Sequence, residues 1–372
     1  MEQAIMWILA IGAVLGGLDY LLKDRFGLGS QFEKGMMMLG PTALSMAGIL
    51  CLVPLFSKGI SVFISPLWMR LGFDPALLGS VLAIDMGGWQ LANELAEDPG
   101  VGIYAGLLVS AMLGCTLTFT IPIAMGMLEQ TDRPFFSKGI LLGIGAMPVA
   151  LLTGGMLCGI PAGTVIRQSI PVFVLSFLLM ICILCFPKQT MRGFACYAAL
   201  IRAAAVIGLI LGAVSYMTKM TFLPGLAPIE SAMSVVSSIG VVLLGSLPVS
   251  ELLKRMLQRP MRSLGRRTGM NENSMAGLLL SLVSPLPALL LLKEMDARGK
   301  VVNAAFMVSS ASMLAAQLGF GFGAAPEYII PFLVTKLTGG ILGAAAALLF
   351  TRRIGTTKNE TDAQAKNKAV CE

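Results

Sequence analysis

An aspartate and a pair of glycines interrupt the apolar stretch Val81-Leu-Ala-Ile-Asp-Met-Gly-Gly-Trp-Gln-Leu-Ala-Asn-Glu94. A segment of this hydropathy is expected to lie in a membrane, where an ionised carboxylate such as Asp85 costs at least ~2.5–3.5 kcal/mol. Gly87 and Gly88 form the weakest point of such a helix, because glycine loses the most backbone freedom on ordering. The stretch therefore predicts a helix that breaks inside the membrane beside a carboxylate that needs a cation.

The rest of the chain has the composition of a polytopic membrane protein. Of its 372 residues, 56% are apolar and 13% are charged, and the mean hydropathy is +0.83; soluble domains average about 25% charged residues. The chain contains no histidine, which excludes histidine-based catalysis, haem ligation through histidine and most zinc sites. The net charge of +7 is typical of basic cytoplasmic loops, so no nucleic-acid partner is expected.

Eleven apolar segments are candidates for membrane helices, since about twenty residues cross a hydrocarbon core of about 30 Å. They are 4–22, 35–57, 74–96, 101–128, 138–160, 169–187, 197–217, 230–253, 271–292, 300–323 and 326–351. Six basic residues lie between Lys254 and Met270, which predicts that this loop is cytoplasmic. If all eleven segments spanned, the basic residues that follow 271–292 would lie outside, against the same rule.

Two broken segments remove this conflict. We predict that 74–96 breaks at Gly87 and Gly88, that 271–292 breaks at Ser284-Pro285-Leu286-Pro287, and that each returns to the side it entered. Prolines such as Pro285 and Pro287 cannot continue a helical hydrogen-bond ladder. About nine segments then span, with the N-terminus outside and the C-terminus in the cytoplasm. Nineteen Lys and Arg residues are cytoplasmic in this layout and four are external.

The two broken segments also belong to a weak internal repeat. We place repeat 1 at about 31–128 and repeat 2 at about 227–323, in opposite orientations, within a transmembrane domain over 1–353. Inverted repeats with broken helices are typical of secondary transporters, which bind substrate between the repeats near the midplane. The polar residues 354–372 lack periodicity and are predicted to form a disordered cytoplasmic tail.

Polar residues around the two breaks form a candidate cation site. Trp89 could offer a π face to an ammonium group, and Gln90 and Asn93 add neutral hydrogen-bonding groups. The second half contributes Ser284 and Gln317, and Gln317 lies on the predicted helix 300–323, where it shares a face with Asn303 and Ser310. Two interpretations of Asp85 stay open at this point: it binds a cationic substrate, or it forms a permanent ion pair with Lys336, also predicted to lie within the membrane.

Several motifs resemble the ethanolamine utilisation permease (EutH) family. They include Asp85-Met-Gly-Gly, Ala92-Asn-Glu-Leu-Ala96, Gly225-Leu-Ala-Pro228 and Met295-Asp-Ala-Arg-Gly-Lys-Val-Val-Asn303. The resemblance covers the membrane portion and implies a bacterial inner-membrane protein that imports ethanolamine. The chain departs from the family pattern in two places: Ser284-Pro285 replaces an Asn-Asn pair, and Ala316-Gln317 replaces Asp-His before Leu-Gly-Phe. These changes would alter selectivity, proton coupling or both.

The leading functional hypothesis is facilitated diffusion of protonated ethanolamine, a small amino alcohol. The alternatives are proton-coupled transport or a channel for a related small amine or polar solute. An enzyme is not expected, because no nucleophile and base occur at a suitable spacing, and no cofactor or metal is predicted. The expected partners are the substrate and the lipid bilayer, and glycine-rich helix faces are compatible with a homo-oligomer.

Overall fold

Residues 2–82, 88–220 and 222–351 are described by the computed structural model, and they form helices and no strand. In chain order the helices are α1 (Glu2–Leu21), α2 (Gly29–Met37), α3 (Leu39–Phe63), α4 (Ser65–Arg70), α5 (Ala76–Leu82), α6 (Gly88–Leu95), α7 (Pro99–Ile103), α8 (Ile121–Met127), α9 (Arg133–Leu157), α10 (Ala162–Cys185), α11 (Pro187–Thr218), α12 (Ile229–Thr268), α13 (Glu272–Val283), α14 (Pro285–Leu291), α15 (Ala297–Ser310), α16 (Ala316–Ala324) and α17 (Ile329–Phe350). The all-α membrane class predicted from composition is confirmed. The predicted tail, 354–372, lies outside the described residues.

Eight helical stretches of the described residues are long and apolar enough to cross a membrane. Each coincides with one of the nine predicted spans. The ninth, 300–323, was predicted as one continuous helix, and this was wrong: α15 ends at Ser310 and α16 begins at Ala316. Between them Ser312 adopts a positive φ of 56°, a conformation that is uncommon for residues other than glycine.

Each of the two broken segments ends near the point in the bundle at which it began. The Asp74 carboxylate, just before α5, accepts hydrogen bonds from the backbone nitrogens of Glu97 and Asp98, just after α6. In the second segment, the Asp296 carboxylate after α14 accepts from the Asn271 nitrogen before α13. A carboxylate therefore joins the two feet of each helical hairpin.

Glycine allows the arms of the first hairpin to pack backbone against backbone. A Cβ atom added at Gly79 in α5 would lie 2.6 Å from the Ala92 nitrogen in α6, which is closer than atoms can approach. Both arms pack on a buried segment of π-helix, Tyr104–Gly114, which continues α7 towards α8 through a second π-helical turn at Thr116–Thr120.

The order of elements recurs along the chain. A long helix (α3), a hairpin (α5 and α6), an irregular helix (α7 to α8) and a spanning helix (α9) are followed later by α12, α13 with α14, α15 with α16, and α17. The members of each half pack on those of the other, as α3 does on α12 and α9 on α17. The repeat predicted at about 31–128 and 227–323, and its opposite orientation in the membrane, stay predictions.

Candidate functional site

The predicted site residues occupy three different surroundings. Gln90 lines a cavity near the feet of the first hairpin, Ser284 lines a second cavity at the break of the second hairpin, and Gln317 is buried against the π-helix. Asp85 and Gly87 lie outside the described residues, so their positions are not part of this geometry.

The first cavity, which we call the outer cavity, has a volume of about 180 Å³. It is lined by Leu50, Val53 and Pro54 of α3, Gln90 and Glu94 of α6, and Ala227, Ser231, Ala232 and Val235 at the start of α12. The Oε1 atom of Gln90 is buried and has no hydrogen-bond partner among the described residues. Since leaving a buried acceptor unsatisfied costs about 1–3 kcal/mol, this oxygen is suited to receive a donor from a ligand.

Glu94 gives the outer cavity a negative charge. Its side chain is exposed, and the Ser57 hydroxyl lies beside the carboxylate. Glu94 belongs to the family-like motif that begins at Ala92. An ammonium group entering this cavity would meet a carboxylate and then an amide oxygen, both of which accept hydrogen bonds.

The second cavity, the inner cavity, has a volume of about 270 Å³ and is lined by more hydroxyl groups. Its wall consists of Met38, Pro41, Thr42, Ser45, Met46, Phe119, Ile123, Val283, Ser284, Pro285, Leu286, Ser312 and Ala316. Ser284 has the extended backbone angles φ −157° and ψ 136°, so the second hairpin breaks where the sequence predicted. Thr42, Ser45 and Ser312 were not predicted, because isolated hydroxyl residues in membrane helices usually serve packing.

The break between α15 and α16 is explained by a proline, Pro285, in the neighbouring hairpin. Pro285 has no N–H group, so the carbonyl of Ser281 loses its helical partner. The backbone nitrogen of Ser312 donates to that carbonyl at 2.9 Å, and the Leu314 nitrogen donates to the Leu282 carbonyl at 2.9 Å. The unwound residues 311–315 therefore cap α13, and they bring Ser312 into the wall of the inner cavity.

Gln317 and Lys336 meet at the π-helix. The Gln317 Nε2 and the Lys336 Nζ each donate to the Ala111 carbonyl at 3.2 Å, and both side chains are 1% exposed. π-Helical turns are rare, and within α-helices they are found frequently at functional sites. Gln317 does not share a helix with Asn303 and Ser310, because the chain is unwound between them. The Asn303 amide instead donates to the Ser274 and Gly299 carbonyls.

The remaining predicted residues have structural contacts. Trp89 is half-buried and packs on the core, with its backbone against Gly106 of the π-helix. Asn93 is exposed and donates to the Trp89 carbonyl of its own helix. Gly88 begins α6, and Pro285 begins α14, two residues before Pro287. Neither Trp89 nor Asn93 lines the outer or the inner cavity.

One face of α3 connects the two cavities. Thr42, Met46, Leu50 and Val53 follow one another at intervals of four, four and three residues and so lie on one face of the helix. The first two line the inner cavity and the last two line the outer cavity. The step from Met46 to Leu50 is about 6 Å at 1.5 Å per residue. The two cavities are therefore stacked along α3 and separated by about one helical turn.

Comparison with known proteins identifies the family. The model of the family described as "Ethanolamine utilisation protein, EutH" matches residues 1–350. A probable ethanolamine permease EutH from Listeria monocytogenes is 35% identical, over 95% of both chains, and one from Escherichia coli is 32% identical, over 98% of this chain and 99% of the relative. The uncharacterized protein YxeR of Bacillus subtilis is 34% identical over 94% of this chain and 95% of its own. No solved structure matches. The chain therefore belongs to the EutH family, as its motifs predicted.

Proposed function

We propose that this protein is a bacterial inner-membrane permease that takes up protonated ethanolamine by facilitated diffusion. The observation that carries the proposal is the pair of cavities stacked on one face of α3 and separated by about one turn. Alternating access requires a solute path that is closed at one level and has space on both sides of the closure. The relatives named as probable ethanolamine permeases supply the candidate substrate.

The lining of the cavities suits a small amino alcohol. Ethanolamine carries an ammonium group with three donors and a hydroxyl that both donates and accepts. The Glu94 carboxylate and the Gln90 oxygen, which has no partner among the described residues, would accept hydrogen bonds from the ammonium in the outer cavity. The hydroxyls of Ser284 and Ser312 are available to the substrate hydroxyl in the inner cavity. A volume of about 180 Å³ or about 270 Å³ holds such a molecule with some water.

We further propose that Asp85 binds the ammonium group of the substrate during transport. It precedes Gly88 by three residues, and Gly88 begins the helix that carries Gln90 into the outer cavity. The cost of a carboxylate in the membrane favours a residue that receives a cation in each transport cycle. The alternative, a permanent pair with Lys336, predicts that neutralising both residues together preserves transport. The orientation proposed is N-terminus outside and C-terminus cytoplasmic, so that α3 leads from the inner cavity outwards.

The test is uptake of labelled ethanolamine into proteoliposomes that contain the purified protein. Asp85→Asn is expected to abolish saturable uptake. Glu94→Gln is expected to raise the half-saturation concentration about tenfold, because a hydrogen bond to a charged group contributes about 1.5–3 kcal/mol. Glu97→Gln is the matched control, since it removes the same charge at a residue that does not line the cavity; it should transport like wild type.

Two further conditions separate the mechanisms. Uptake that is unchanged by an imposed pH gradient supports facilitated diffusion, and uptake driven by the gradient shows proton coupling. Faster uptake when unlabelled ethanolamine is present on the opposite side excludes a static channel. Folded wild-type protein that transports no ethanolamine would overturn the proposed substrate, and wild-type transport by Asp85→Asn would overturn the role of Asp85.

A further inference from the structure

The end of α12 that is predicted to be cytoplasmic carries a concentrated positive charge. We call residues 254–268 the basic arm. Its basic residues are Lys254, Arg255, Arg259, Arg262, Arg266 and Arg267. Arg255, Arg259, Arg262 and Arg266 follow one another at intervals of four, three and four residues, which places them on one face of the helix. All four are exposed.

The arm lies along the end of the bundle. Near its start, the guanidinium of Arg255 lies against Gly27, which follows the end of α1. At its other end, the Thr268 carbonyl accepts a hydrogen bond from Arg298, whose guanidinium also donates to the Leu348 carbonyl near the end of α17. Both ends of the arm are thus held at the ends of membrane-spanning helices. Roughly 20 Å of helix lies between these two contacts, at 1.5 Å per residue, and the contacts hold it at the end of the bundle that is predicted to be cytoplasmic.

A groove of about 410 Å³ separates the arm from α13. The arm contributes Lys254, Gln258, Met261 and Arg262, and α13 contributes Glu272, Asn273, Met275, Ala276, Leu279 and Leu280. The wall that α13 provides is polar in its first turn and apolar beyond it, so the groove is amphipathic along its length. An ion pair of 3.1 Å between Arg262 and Glu272 connects the two walls at the polar end.

Acidic residues neutralise only part of this charge. Glu251 pairs with Lys254 and Arg255, and Glu272 pairs with Arg262. Arg259 and Arg266 form no ion pair within 2–82, 88–220 and 222–351. They extend the positive face alongside the groove, and an anion bound there would be shared among several guanidinium groups, which bind phosphate well.

We propose that the basic arm and the groove beside it bind an anionic phospholipid of the inner leaflet. The phosphate and headgroup would lie against the arginine face, and part of an acyl chain would lie on Ala276, Leu279 and Leu280. Clusters of four to eight basic residues directly cytoplasmic of a membrane helix attract anionic lipids. The apolar floor of the groove favours a lipid over a soluble phosphate, because only the lipid brings a chain to cover it. This inference does not depend on the transported substrate.

The experiment measures lipid binding to the full-length protein in a neutral detergent. Short-chain phosphatidylglycerol, phosphatidylcholine and glycerol 3-phosphate are titrated separately, and binding is followed by the rise in unfolding temperature. Phosphatidylglycerol should bind at least tenfold more tightly than phosphatidylcholine. Each basic residue near a membrane surface contributes about fivefold in affinity, so Arg259→Gln/Arg262→Gln/Arg266→Gln should weaken phosphatidylglycerol binding about 100-fold.

The control variant is Lys58→Gln/Arg70→Gln/Lys219→Gln, which removes three exposed cations predicted to lie on the external side; it should bind like wild type. If the arginine variant does not fold, Leu280→Trp, which fills the groove and retains every charge, should weaken binding instead. Equal affinity for the two phospholipids, or unchanged binding in the folded variant, would overturn the proposal. Equivalent binding of glycerol 3-phosphate would overturn the lipid as the occupant.

Discussion

The ion pair between Asp132 and Lys300 connects the two halves of the chain at their predicted cytoplasmic end. Asp132 directly precedes α9, Lys300 lies in the first turn of α15, and the Lys300 Nζ is 2.5 Å from the Asp132 Oδ1. The two side chains are 6% and 13% exposed, so solvent screens them weakly. Two charges about 4 Å apart attract by about 4 kcal/mol at an effective dielectric constant of 20.

Removing one partner leaves the other charge buried and uncompensated, which costs about 3–5 kcal/mol. We therefore expect Asp132→Asn and Lys300→Met each to lower the free energy of unfolding by about 3 kcal/mol. The double variant should lose about as much as either single variant and not the sum, because neither charge is then left unpaired. The measurement is unfolding of the purified protein in mixed micelles at increasing sodium dodecyl sulfate.

The Arg262–Glu272 pair provides the matched control. Its side chains are 64% and 76% exposed, and exposed pairs contribute about 0–1 kcal/mol. The same double-mutant cycle with Arg262→Gln and Glu272→Gln should give a coupling below about 1 kcal/mol. If the losses for Asp132→Asn and Lys300→Met simply add, or if their coupling is no larger than in the exposed pair, burial does not govern the strength of this contact and the reasoning is refuted.

Two further predictions concern the backbone. Gly79→Val should prevent the first hairpin from closing, since even a Cβ atom would lie 2.6 Å from the Ala92 nitrogen, and this variant should lose monodisperse elution in detergent. Gly59→Val, where no atom lies within 4 Å, should retain it. Ser312→Val should lower the unfolding free energy by about 1–3 kcal/mol, because a β-branched residue at a φ of 56° is strained. Ser312→Gly, which accepts that φ, should be nearly neutral, and equal stability of the two variants would contradict the argument.

Local properties of the chain were sufficient to predict the membrane class, the eight spans and the break at Ser284-Pro285, while the predicted break at Gly87 lies outside the described residues. The length of an apolar run decides whether a helix can span, and Pro285 acts through its own backbone. The candidate cation site depends only partly on such local properties. Gln90 and Ser284 line cavities, whereas the amide of Asn93 is bonded within its own helix.

Other features depend on contacts between residues far apart in the chain. Residues 311–315 contain neither proline nor glycine and are unwound because a proline elsewhere, Pro285, leaves the Ser281 carbonyl without a helical partner. The ion pair of Asp132 with Lys300 joins residues 168 positions apart, and the groove beside the basic arm needs two helices to form its walls. Hydropathy and helix breakers are properties of one segment, so the sequence alone determined them. Cavities, buried pairs and the unwinding at Ser312 arise between segments, and only the tertiary structure decided them.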